Sequence, residues 1–246
     1  GPPERWRLSF RKTGPFALLG HLDLLRELPR VVRRAGVRTA YSAGYHPKPV
    51  VSFGPALSLG VASLAEWVDV SLIDAPSPEE LLCRLNEACA PGMSFTAACR
   101  LGPNDPGINR ILDGASYVIG LGQAVEEARL NERIATFLAA PEHLVRRVID
   151  GVGKQVDVRA FVIGLAVGGS DAERALAEAG VVGVGRCLEA DVRFTQSGAV
   201  KVSEVVQAVL GDDFPFVALR VRLTGGGSSP LDLERHRKPG AASVSA

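Results

Sequence analysis

The chain has 246 residues, 46% of them apolar and 22% charged, with a formal net charge of +1. That suits one large globular domain or two small ones. No apolar run reaches the roughly 18 residues that span a bilayer, and no basic stretch followed by an apolar one opens the chain, so a cytoplasmic protein with no membrane partner is expected.

The charge is unevenly spread. Residues 1–60 hold ten Arg and Lys against Glu4, Asp23 and Glu27, a local net of +7. A basic first quarter points to an anionic partner such as RNA; the plainer reading is an ordinary solvated helix surface. The four cysteines (Cys83, Cys89, Cys99 and Cys187) form no Cys-x-x-Cys pair. A thiolate-bound cluster is therefore not expected, nor is any metal or other cofactor, and the cysteines read as buried free thiols.

Trp6, Leu8 and Phe10 alternate with Arg5, Arg7, Ser9 and Arg11, which predicts a half-buried strand with the polar set facing solvent. A helix should open at Gly20-His21 and stop at Gly36, its core face built from Leu22, Leu25, Val32 and Ala35. Arg26, Arg30, Arg33 and Arg34, at i, i+4, i+7 and i+8, should share the other face, with Glu27 neutralising part of it. Pro29 predicts a kink or a later helix start. Val37–Ser42 reads as a strand.

The stretch from Tyr41 to Gly60 packs Gly44, Pro47, Pro49, Gly54, Pro55 and Gly60 around Tyr41, Tyr45, His46, Lys48 and Phe53. Dense turn formers among aromatics mark an ordered functional loop rather than a linker. Strands at Val50–Phe53 and Glu66–Ile73, a helix from Ser77 to Ala90 and a strand at Met93–Leu101 complete a β-α-β-β-α-β series.

Gly102-Pro-Asn-Asp-Pro-Gly107 then reads as a linker. Strands follow at Ala115–Leu121, His143–Ile149, Val156–Val167, Cys187–Thr195 and Phe216–Leu223, with helices at Ala124–Ala139 and Ser203–Leu210 and an inserted one at Ser170–Ala179. The expectation is an α+β protein of tandem ferredoxin-like domains with antiparallel sheets. Residues 5–101 would form the first and 115–224 the second, joined by a linker at 102–114 and followed by a flexible tail at 225–246. Gly180-Val-Val-Gly-Val-Gly185 lacks the strand-before, helix-after setting of a phosphate loop and reads as a plain loop.

Two kinds of chemistry fit the loop and the arginine helix. In one, nothing is catalysed: Tyr45 stacks on a base while Lys48 and Arg34 meet phosphate, with Arg26, Arg30, Arg33, Tyr41, Ser42, His46 and Ser52 around them. In the other, a metal-independent ribonuclease draws an acid and a base from His21, His46 and Tyr41. His21 and Asp23 have a structural alternative at the helix start, Asp23 as a cap.

Phe10-Arg-Lys-Thr-Gly14, Gly20-His-Leu-Asp-Leu-Leu-Arg26, Arg33-Arg-Ala-Gly36, Tyr41-Ser-Ala-Gly-Tyr-His-Pro47 and Ser52-Phe-Gly54 follow one another in a fixed order. Leu57, Gly60-Val61, Ser63 and Glu66 continue it. This pattern resembles the opening of a bacterial family, the radical S-adenosylmethionine (SAM)-linked proteins, a domain of unknown function. Lys154–Arg159 and Lys201–Val205 are similar to its weaker later blocks. His46 stands where that family usually has Asn, and Pro49-Val50-Val51 replaces a proline followed by a basic residue. The resemblance implies a partner of, or fusion to, cobalamin-binding radical SAM proteins, in a setting of RNA-processing and ribosomal genes. At the level of fold the tandem arrangement also resembles CRISPR repeat-processing endonucleases. The expectation is a non-catalytic accessory that binds RNA or a ribonucleoprotein for a radical enzyme. The alternatives are an RNA endonuclease and a pure protein-interaction module.

Overall fold

Alternating and helical apolar periods resolve into a mixed α+β fold in the computed structural model, which describes residues 1–149, 151–182, 184–196 and 198–233. The strand pairs are mostly antiparallel, and six α-helices lie among the described residues. The chain divides into two units. One comprises Gly1–Leu59, Ser63–Leu112 and the segment from Leu223; the other comprises Gly60–Ala62 and Asp113–Arg222.

The first unit runs β1 (Pro3–Lys12), a 3-10 turn (Gly14–Leu18), α1 (His21–Arg34), β2 (Arg38–Thr39), β3 (Val51–Phe53), β4 (Ala62–Ile73), α2 (Pro78–Ala88), β5 (Met93–Arg100) and α3 (Ile108–Ile111). β1 lies between β5 and β4, and both β2 and β3 pair with β4, every pairing antiparallel. Trp6, Leu8 and Phe10 of β1 and Val68, Val70 and Leu72 of β4 point to one face. There they meet Leu24, Leu28, Val31 and Val32 of α1 and Leu81 and Leu85 of α2. Burying such side chains contributes about 1.5–3 kcal/mol each, and this face is the hydrophobic core of the unit.

α1 differs from the expected helix in two ways. Its core face is Leu24, Leu28, Val31, Val32 and Ala35, while Leu22 and Leu25 are 68% and 37% exposed. The helix is also continuous through Pro29. Pro29 is only half-buried, on the outer side, where the carbonyl one turn before it can reach water in place of the missing N–H. Gly36 ends the helix at φ +72, a conformation open to glycine.

β1 also departs from its expected half-buried character. Arg7 is fully buried and Ser9 nearly so, because chain segments lie over the face that alternation assigns to water. Arg7 Nε and Nη2 donate to the two carboxylate oxygens of Asp69 on β4 at 2.8 and 3.0 Å. Nη2 also donates to Pro106 O at 2.7 Å and Nη1 to Pro230 O at 2.9 Å. Asp69 Oδ2 accepts from Ile108 N at 2.8 Å. One ion pair thus fastens two strands, the connector before α3 and the C-terminal segment.

The stretch at 102–107, expected as a linker, is therefore packed cover. Asp105 is buried, its carboxylate accepts from Gly102 N at 2.7 Å, and its carbonyl accepts from Arg5 Nη1 at 3.0 Å. The expected tail is likewise fixed at its start. Gly225 and Ser228 form a β-bridge, and Pro230 is buried beside Arg7. The rest of that expected tail, 234–246, lies outside the described residues.

The second unit runs β6 (Gly114–Leu121), α4 (Glu127–Ala139), β7 (Leu144–Ile149), β8 (Val152–Asp157), β9 (Val162–Val167), α5 (Ser170–Glu178), β10 (Cys187–Arg193), α6 (Val202–Leu210) and β11 (Phe216–Thr224). Its strands order as β11-β6-β10-β9, and β7 and β8 form a separate pair. The single strand expected at Val156–Val167 is two strands. Asp157 breaks it, its carboxylate accepting from His143 N at 2.9 Å and Arg159 N at 3.1 Å to turn the chain. Arg147 grips Glu204 at 2.6 Å through Nε and Nη2, joining β7 to the start of α6. The Gly180–Gly185 run includes position 183, which lies outside the described residues.

Asp69→Ala leaves the Arg7 guanidinium buried without its counter-ion, a change that costs roughly 3–5 kcal/mol. Urea unfolding should show that loss, and the double variant Arg7→Met/Asp69→Leu should recover most of it. A loss below about 1 kcal/mol, the range of exposed pairs, contradicts the central role given to this pair.

Candidate functional site

α1 presents its arginines at 100° per residue, so Arg26, Arg30 and Arg33 fall within about 60° of one another on its outer side. Arg34 falls next to Glu27 instead, and the structure uses it there. Arg34 Nη2 donates to Glu27 Oε1 at 2.8 Å and its Nε to Ala88 O, at the end of α2, at 3.1 Å. It clamps one helix to the other and leaves the expected four-arginine face with three members. Arg30 makes a looser pair with Glu27 at 3.7 Å. Arg26 and Arg33 are exposed, and no described residue forms an ion pair or hydrogen bond with either guanidinium.

The loop after β2 is a closed hairpin. Val50 N donates to Ala40 O at 2.9 Å, Ser42 N to Lys48 O at 2.8 Å, and Lys48 N to Ser42 Oγ at 3.0 Å. Tyr41 bridges to Pro49, and Ala40 and Val50 exchange hydrogen bonds with Ser71 of β4. These bonds fix Tyr41 at the base of the hairpin with its side chain exposed. Ser42 therefore has a structural task. At the tip, Tyr45 is 96% exposed and meets the His46 ring, edge-on at 5.2 Å.

Between α1 and β2 lies a groove of about 610 Å³, lined by Pro29, Arg30 and Arg33 of α1, by Val37, Arg38, Thr39 and Tyr41, and by Ile73 of β4. Its floor is apolar, and three guanidinium groups and one phenol surround it. Arg38 pairs with Asp74 at the rim. Hydrogen bonds from the Gly1 amino group and from Arg38 hold the Asp74 carboxyl below the ordinary carboxylate range. Sequence spacing does not reveal this groove, since Arg38 and Val37 read as strand positions and Pro29 as a defect.

The other sequence candidates scatter. Ser52 Oγ accepts from Asn109 Nδ2 at 2.8 Å, beside α3. Lys48 and His46 sit on the hairpin, outside the groove lining. His21 stacks edge-on against Phe53 at 5.5 Å, whereas His46 meets Tyr45, so different neighbours hold the two histidines. Asp23 accepts from Gly20 N at 3.0 Å and acts as the cap of α1. A two-residue acid–base mechanism needs both groups at one phosphate. No described contact joins His21 to His46 or Tyr41. Among the described residues no group of three or more His, Cys, Asp or Glu could hold a metal ion, and no helix is long and apolar enough to cross a membrane.

A family model described as an uncharacterized protein conserved in bacteria, DUF2344, matches residues 5–197. No curated protein matches the chain. Among solved structures the chain is similar to an unknown protein from Galdieria sulphuraria, with 12% identity and a TM-score of 0.23, over 91% of this chain and 99% of that one.

The surroundings of all four thiols favour the protonated form. Cys187 is buried, Cys89 and Cys99 are half-buried, and Cys83 is exposed, contrary to the expectation that all four are buried. Burial pushes the Cys89 thiol up to about 11. Burial also raises Cys99 and Cys187, and a hydrogen bond to Glu87 raises Cys83. At pH 8 the thiolate fraction of Cys89 is about one in a thousand. Iodoacetamide should therefore label native Cys89 far more slowly than the urea-unfolded chain; equal rates would contradict this burial.

Proposed function

The chain belongs to DUF2344, a family of uncharacterized proteins conserved in bacteria, and from its geometry we propose that it is a non-catalytic accessory that binds RNA or a ribonucleoprotein. The carrying observation is the outer face of α1, where no described residue pairs with the guanidinium of Arg26 or Arg33, and where Arg33 lines one groove with Tyr41 of the hairpin. Side-chain cations that the fold does not neutralise attract phosphate, and an exposed aromatic ring beside them offers a stacking surface to an unpaired base. Single-stranded RNA satisfies both.

In this reading both units are ferredoxin-like. The orders β5-β1-β4 with β2 and β3 outermost, and β11-β6-β10-β9, support it, with β7–β8 and α5 as additions to the second. The enzyme served is of the radical SAM class, a partner that rests on sequence resemblance alone. His21 and His46 pack against different rings, Phe53 and Tyr45, and neither lines the groove, which favours binding over cleavage.

Fluorescence anisotropy with labelled single-stranded tRNA and rRNA fragments tests the proposal. Each phosphate contact contributes roughly 0.7 to the slope of log affinity against log salt for single strands, so Arg26→Ala/Arg33→Ala should lower that slope by about 1.4. Arg34→Ala should leave it unchanged while lowering stability. Binding that ignores salt, or an equal effect of Arg34→Ala, would overturn the proposal.

A further inference from the structure

The groove between α1 and β2 differs from a merely basic surface in having a floor. Val37 is buried, Pro29 and Ile73 are half-buried, and all three face the same space as Arg30, Arg33 and Tyr41. A volume of about 610 Å³ with an apolar base and a few convergent polar groups is the form of a small-molecule site. Phosphate alone has no use for that base, and an apolar ligand has no use for the guanidinium groups. The ligand that uses both is planar on one side and anionic on the other.

Tyr41 sets where the planar part goes. Its backbone is pinned by the bridge to Pro49, and its side chain is 59% exposed at the edge of the groove. Arg30 and Arg33, which line the same groove, come from one face of a continuous helix, three residues apart, which makes them neighbours on the helix surface. The Arg33 guanidinium is held by no described residue, and Arg30 has only the 3.7 Å contact with Glu27. Two cations with little neutralisation by described residues thus line the same groove as a fixed aromatic ring.

We infer that this groove is a nucleotide pocket: it takes one nucleoside monophosphate unit, with the base on Tyr41 and the apolar floor and the phosphate between Arg30 and Arg33. The assignment deepens the RNA reading above and takes its biological meaning from it. It implies that one base of the bound strand leaves its neighbours to enter the groove, while the remaining contacts run along the backbone toward Arg26.

Titration of the full chain with AMP, UMP and inorganic phosphate, followed by calorimetry, tests the pocket directly. AMP should bind about tenfold more tightly than inorganic phosphate, the increment of one base stacked on an aromatic ring. Tyr41→Leu should remove that advantage and leave phosphate binding unchanged; Arg33→Ala should weaken both ligands. Because both side chains are exposed, a melting curve matching the parent chain confirms that each variant is folded. Equal affinities for AMP and phosphate, or AMP binding unaltered in Tyr41→Leu, would overturn the pocket. Binding of each ligand alone separates the two proposals. AMP binding without any RNA binding upholds the pocket and removes the RNA reading. RNA binding with no AMP binding removes the pocket and leaves the RNA reading standing.

Discussion

The buried pair between Arg7 and Asp69 governs the first unit. A guanidinium with no exposed surface has to satisfy its N–H groups inside the protein, and Arg7 does so on a carboxylate and two main-chain carbonyls. An unpaired buried charge of this kind is intolerable, so the segments bearing Pro106 and Pro230 must stay in place for the strands to stay paired. One face of the sheet is occupied by helices and the other by these two segments. The outer side of α1 and the hairpin that follows β2 are among the surfaces the unit leaves to solvent.

That remaining surface owes its character to how few carboxylates reach it. Glu27 serves Arg34 closely and Arg30 loosely, and Asp74 serves Arg38. Among the described residues, Arg33 and Arg26 are left over. Pro29 has a part here too. In the helix interior it removes one hydrogen bond, yet its ring gives the groove an apolar wall between two arginine-bearing turns. A residue that is costly for the helix in isolation thus shapes a cavity where cations, an aromatic ring and apolar side chains meet.

Much of this was legible in the residue order. Alternation placed the core side of β1, and 3.6-residue spacing placed Arg26, Arg30 and Arg33 together. Gly36 marked the end of α1, and the density of glycine and proline marked the hairpin as ordered. The burial of Arg7 was not legible, because its partners at Pro106 and Pro230 lie 99 and 223 residues away, and a period of two cannot tell a wet face from one covered by distant chain. The role of Arg34 depended on the end of α2, 54 residues on. The break at Asp157 depended on a side chain accepting two main-chain hydrogen bonds, which no hydrophobic pattern encodes. Local periodicities were readable; long-range hydrogen bonds, which decide which polar side chains remain free, were not.

The claim that joins these parts is that the outer side of α1 and Tyr41 act as one recognition surface. Photo-crosslinking with single-stranded RNA carrying 4-thiouridine, followed by peptide mapping of the full chain, tests it most directly. Crosslinks should concentrate on Tyr41 and on the peptide spanning Arg26 to Arg38. Crosslinks that gather instead on the β7–β8 pair, or spread evenly over the chain, would contradict it.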